Sequence, residues 1–219
     1  MINAADMFKA FGQHRDKAIV IPTGTAGRHW RAVTGNEKRD MGLGGAMGQT
    51  TAATLGLALA LPDEKVCLFD SEGSLLMNLG VIATIAGKKP KNLYHFLMDN
   101  ECYATTGGQP VPNSAEIDYA EMAKGAGYAA AYQFDNIEEF SLNIENILKE
   151  EGPVFIAMKI RPEVENEPIG RRQRGAPQRT RAHQNSHIRE ENPGTCEDCG
   201  MKLKPVSYTH LTLPTILLV

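Results

Sequence analysis

The sequence predicts an α/β fold: a three-layer, mostly parallel sheet with helices on both faces, followed by a poorly ordered tail. Up to residue 160, short β-branched or apolar runs alternate with longer segments of helical period. Strands that alternate with helices pair in parallel and are covered on both faces. Beyond Arg161 the texture changes. Residues 171–189 carry six Arg and no acidic residue, and such a segment buries too little apolar surface to offset its ordering entropy.

Taken in order, the pattern gives a helix over 4–11, a strand over 17–22, a helix over 48–61 and a strand over 65–70. A helix over 74–87 and a strand over 92–98 follow. The series closes with a helix over 119–125, a strand over 128–134, a helix over 136–149 and a strand over 154–160. The helix over 136–149 is the best defined. Asp135 is a natural N-cap, Glu138 and Glu139 occupy the positive first turn, and Ile137, Phe140, Ile144, Ile147 and Leu148 form one apolar face. Gly152-Pro153 stops it.

Composition narrows the function. The 219 residues are 42% hydrophobic and 22% charged, and 23 Lys+Arg against 26 Asp+Glu leave a net charge of −3, with no general attraction to nucleic acid. The longest nearly apolar stretch, residues 50–62, falls short of the ~20 needed to cross a bilayer. Residues 1–15 lack the charged start and apolar run of a signal peptide, and four cysteines do not make a disulfide framework. A cytoplasmic location is the expectation, with residues 1–165 as the folded domain and 166–187 as a basic linker.

In parallel sheets ligands bind where loops leave the carboxyl ends of the strands. Four such loops, 23–27, 42–48, 70–74 and 99–109, are rich in Gly, Ser, Thr, Asn or carboxylates. In the third, a strand runs straight into Asp70-Ser71-Glu72-Gly73-Ser74 at the start of a helix. Free helix N–H groups and Ser74 suit phosphate oxygens, and Glu72 suits a hard cation that bridges them. The next strand ends at Asp99-Asn100, where one βα crossover brings the Asn100 amide oxygen toward Glu72 as part of an octahedral shell for magnesium.

At these residues the sequence resembles the thiamine diphosphate-dependent enzymes, whose signature is Gly-Asp-Gly followed one βα unit later by Asn-Asn. Here the triplet is Ser71-Glu72-Gly73 and the pair is Asp99-Asn100. The diphosphate-binding half of sulfopyruvate and phosphonopyruvate decarboxylases is similar through Gly44-Gly45-Ala46-Met47-Gly48, through the run from Gly73 to Gly80, and through Thr105-Thr106-Gly107-Gly108-Gln109-Pro110. The resemblance covers residues 1–165 and implies the thiamine diphosphate-binding fold. It implies Glu72 and Asn100 as side-chain metal ligands and Cys102 as a backbone carbonyl ligand. It also implies Ser71, Gly73, Ser74, Gly107 and Gly108 around the diphosphate. Gly45 would accept from the aminopyrimidine amino group beside Ala46, and Met47 would wedge between the two cofactor rings.

The resemblance further implies a magnesium- and thiamine diphosphate-binding subunit of a 2-oxo acid decarboxylase. The activating glutamate is expected on a separate pyrimidine-binding, alpha-type subunit, so no catalytic side chain is assigned within this chain. Two positions depart from the family pattern. Glu72 replaces an aspartate, which lengthens the ligand by one methylene, and Asp99 replaces an asparagine that is not itself a ligand. A carboligase half resembling acetolactate synthase is the rival within the class, and a non-catalytic heavy-metal-binding protein the rival outside it.

Other chemistry-bearing residues have plainer readings. His95 lies mid-strand as a core histidine, and Cys67 reads as a small hydrophobe. Nothing near Cys102 supplies the base and orienting group that a nucleophile needs. Arg28, His29 and Arg31 suit a surface helix better than an anion clamp. Residues 188–205 present Cys196 and Cys199 as a CxxC knuckle with His183 and His187 upstream, a ligand set for zinc or copper. This segment resembles the end of a short heavy-metal-binding module. The uncharged tail, 206–219, resembles translated adapter sequence.

Overall fold

In the computed structural model, residues 1–43 and 47–164 are described. Five parallel strands form one sheet: β1 (Ile19–Pro22), β2 (Val66–Ser71), β3 (Leu93–Asp99), β6 (Ala130–Phe134) and β7 (Val154–Lys159), in the order β1-β2-β3-β7-β6. A two-stranded antiparallel ribbon, β4 (Cys102–Tyr103) and β5 (Gln109–Pro110), stands beyond the end of β3. Every residue of β3 is buried, as expected of a central parallel strand covered on both sides.

Alternation along the strands sends side chains to two separate cores. Val20, Cys67, Phe69, Tyr94, Phe96, Val154, Ile156 and Met158 face α1 (Ala4–His14), α2 (Ala26–Arg31) and α7 (Ile137–Ile147). Here Phe69 and Phe96 stack at 4.5 Å, and Phe11 meets both edge-on. Ile21, Val66, Leu68, Leu93, Leu97 and Phe155 face α3 (Thr50–Ala60), α5 (Val81–Lys88) and α6 (Tyr119–Ala126).

Three departures from the sequence expectation have a clear local reason. The helix over 74–87 is two: α4 (Glu72–Leu76) ends early and α5 starts at Val81. Asn78 leaves the helical path to donate its Nδ2 to the Gly48 carbonyl at 2.9 Å. The cap of α7 is Asn136, not Asp135; its Oδ1 accepts from the Glu138 and Glu139 amides at 2.7 and 3.4 Å. The strand expected from residue 128 begins at Ala130, because Gly127 takes a left-handed conformation and the Tyr128 amide closes α6 by donating to the Ala123 carbonyl. No helix among the described residues is long and apolar enough to cross a membrane.

Candidate cofactor and metal site

The transition from β2 to α4 has no intervening loop. Ser71 is the last strand residue and also the cap of the helix, its Oγ accepting from the Ser74 amide at 3.4 Å. Glu72 is therefore the first helical residue, placed at the carboxyl end of the sheet. Its side chain is completely buried, and neither carboxylate oxygen has a hydrogen-bond partner. Burial pushes its pKa up to about 7, and the nearby Asp99 carboxylate adds to the rise. The backbone amides of Glu72 itself, Asn100 and Cys102 pull it partly back down. The influence of those amides puts the β3–β4 turn against Glu72, although none meets hydrogen-bond geometry.

That turn is held from two sides. Asn100 Oδ1 accepts from the Cys102 amide at 3.1 Å, using one of two lone pairs and leaving the other. Lys159 Nζ lies 2.7 Å from Asp99 Oδ2 and 3.0 Å from Glu101 Oε1. Burial still leaves Asp99 above the usual carboxylate range, because Lys159 offsets only part of the desolvation. The Cys102 thiol is also raised, by burial first and then by Glu72 and Glu101.

The glycines at the site have specific causes. A Cβ on Gly73 would stand 2.5 Å from Tyr103 Cε1, so the aromatic ring on β4 can approach α4 only over a bare backbone. Gly48 adopts φ +81°, and a Cβ there would lie 3.0 Å from Met77 Cβ. Its amide donates to Ser74 Oγ at 3.1 Å, which ties the turn before α3 to α4. The Ser74 hydroxyl keeps its own proton to donate. Gly107 and Gly108 both have positive φ, and the side chain of Val164 rests on Gly108.

Among the described residues expected at the site, Ser71, Glu72, Gly73 and Ser74 lie together on one turn, and Asn100 and Cys102 lie on the turn beside it. Met47 is 40% exposed. Gly45 and Ala46 lie outside the described residues, as do His183, His187, Cys196 and Cys199. Among the described residues no three His, Cys, Asp or Glu side chains converge, so a cation here must draw on amide and backbone oxygens beside Glu72. A buried carboxylate without hydrogen-bond partners, with the backbone of Asn100 and Cys102 beside it, fits a hard cation.

His95 is wholly buried and lies in the core, as its position in the strand suggests. His29 pairs with Glu163 at 3.2 Å, so it is not an open anion site. Burial drives the Cys67 thiol up to about 12, in keeping with an inert hydrophobe. Residue patterns had not singled out Lys159, Tyr103 or Tyr119. Tyr119 carries a buried hydroxyl without a partner, and its titration is pushed upward by burial and then by Asp99 and Glu72. The available signal was a lysine closing an apolar strand opposite an aspartate that closes another.

A parallel sheet that delivers a buried carboxylate and a capped helix start to one set of strand ends defines a class: α/β proteins that take ligands at the carboxyl edge of the sheet. The family signature for the thiamine pyrophosphate enzyme, C-terminal TPP binding domain, matches residues 22–158, and the chain belongs to that family. It is 33% identical over 160 residues to the sulfopyruvate decarboxylase subunit beta of Methanothermobacter thermautotrophicus, covering 72% of this chain and 81% of that protein. It is 34% identical over 148 residues to the phosphonopyruvate decarboxylase of Streptomyces viridochromogenes, covering 68% of this chain and 36% of that one. The chain thus spans little more than a third of the phosphonopyruvate decarboxylases it matches. The benzoylformate decarboxylase structure from Polynucleobacter necessarius shares the fold, with a TM-score of 0.60 and 17% identity over 74% of this chain and 33% of that one.

Proposed function

We propose that the chain is the thiamine diphosphate- and magnesium-binding subunit of a 2-oxo acid decarboxylase of the sulfopyruvate or phosphonopyruvate type. The observation that carries this reading is the Glu72 carboxylate, buried at the strand ends with both oxygens unpartnered. Leaving a buried carboxylate without partners costs several kcal/mol in ordinary circumstances, and a divalent cation removes that cost.

In this reading Glu72 and Asn100 hold magnesium through their side chains and Cys102 through its carbonyl. Ser71, Gly73, Ser74, Gly107 and Gly108 surround the diphosphate, with the Ser74 hydroxyl donating to it. Met47 wedges between the two cofactor rings. When bound, thiamine diphosphate would supply a nucleophilic carbon and an electron sink for the decarboxylation of a 2-oxo acid. This chain would anchor the charged end of that group. A pyrimidine-binding subunit in trans supplies the activating glutamate, in keeping with the match to most of a protein named subunit beta.

Equilibrium dialysis tests the binding half of this reading: thiamine diphosphate should be retained with magnesium and lost on chelation. Failure to bind the cofactor in the presence of magnesium overturns it. Release of CO₂ from sulfopyruvate or phosphonopyruvate on adding a pyrimidine-domain partner tests the activity. A carboligase is the second reading, favoured by 28% identity over 135 residues to the acetolactate synthase isozyme 1 large subunit of Escherichia coli. It would yield a coupled hydroxy-ketone product instead.

A further inference from the structure

Behind Glu72, on the α3 and α6 side of the sheet, lies a line of buried polar groups that the proposed cofactor contacts do not use. Asp70 is 1% exposed. Its Oδ1 accepts from the Ser71 amide at 2.9 Å, and its Oδ2 accepts from the Thr51 hydroxyl at 2.5 Å. His95 Nε2 stands 3.7 Å from the same Oδ2, at ion-pair rather than hydrogen-bond distance. On its other side, His95 Nδ1 lies 3.3 Å from the Tyr128 hydroxyl. Phe155 packs edge-on against both rings, at 4.8 Å from His95 and 5.6 Å from Tyr128. The four polar residues come from α3, β2, β3 and the turn that closes α6.

The sheet has no need of a charge at position 70. Val66 and Leu68, which point the same way, are apolar, and a third apolar residue would continue the pattern without the desolvation of a carboxylate. What the carboxylate provides is direction. It grips the amide of Ser71, the residue whose side chain caps α4 and whose backbone launches Glu72. Thr51 in turn fixes the carboxylate from a separate helix, so β2 cannot twist at its end without breaking a buried hydrogen bond.

Resting on the reading of Glu72 as a metal ligand, we propose that Asp70, braced by Thr51 and His95, is a positioning residue that sets the angle at which Glu72 meets its cation. Partners behind a ligand typically alter metal affinity ~10- to 100-fold when removed. The effect should depend on the ion, because magnesium demands near-ideal octahedral geometry whereas calcium tolerates an irregular shell. A purely structural role would weaken both ions together.

The experiment is calorimetric titration of thiamine diphosphate into the full chain with magnesium or with calcium, for the wild type and Asp70→Asn. The expected result is a loss of ~10-fold or more in magnesium-supported affinity and a much smaller loss with calcium. Equal losses with the two ions, or none, overturn the positioning role while leaving the Glu72 reading intact. If the wild type binds the cofactor with neither ion, the Glu72 reading fails and this inference falls with it. Should circular dichroism show Asp70→Asn unfolded, Thr51→Val, which removes one donor at nearly constant shape, carries the same comparison: a magnesium-selective loss supports the proposal and an equal loss refutes it.

Discussion

Lys159 and Asp99 face each other across the register of β7 and β3, with Lys159 Nζ 2.7 Å from Asp99 Oδ2. Asp99 is nearly fully buried, so this ion pair fixes the turn that carries Asn100 and Cys102. The aspartate that departs from the family's usual asparagine thus has its own counter-ion, supplied by the last residue of the neighbouring strand.

Lys159→Met should strand the Asp99 carboxylate and destabilise the fold by about 1.5–3 kcal/mol. Asp99→Asn in the same background should recover part of that loss, since the amide needs no counter-ion. Urea unfolding of the two single variants and the double variant measures the coupling. Simple additivity would show that the pair is not coupled.

At the metal position, Glu72→Gln should abolish magnesium-dependent thiamine diphosphate binding, whereas Glu72→Asp should retain it. Magnesium has little use for an amide in place of its charged ligand. Calorimetry of the three proteins checks this, and equal affinities would refute the ligand assignment.

In metal-free protein, Glu72 also predicts a pH dependence of stability. Its folded-state pKa is about 7, raised from 4.5, so the folded chain binds the proton more tightly than the unfolded chain does. The stabilisation is complete below about 4.5 and is lost as pH rises through about 7. Thermal melts of the metal-free wild type should decline over this window relative to Glu72→Gln. A parallel pair of curves would remove Glu72 as the cause.

Gly73→Ala places a Cβ 2.5 Å from Tyr103 Cε1 and should cost about 1–3 kcal/mol through overpacking. Tyr103→Ala in that background should relieve the clash. The check is the melting temperature of the single and double variants.

The strands were readable because a parallel strand covered on both faces leaves an unbroken apolar run, as residues 154–158 do. The carboxylate and the amide at their ends stood out for the same reason. What the residues did not announce were contacts between distant segments. Asn78 ends a helix because Gly48, on a different loop, offers a carbonyl. Asn136 displaces Asp135 as cap because its side chain, one position later, reaches two amides. Thr51, Asp70, His95 and Tyr128 are individually unremarkable positions, and only the packing of α3 and α6 on the sheet brings them into line.

Because Ser71 ends a strand and caps a helix at once, the chain has no slack between Asp70 and Glu72. One residue inserted there would rotate everything after it by roughly 100° about the α4 axis, turning Glu72 away from the backbone of Asn100 and Cys102. Side chains at this junction can be exchanged, but its length is fixed.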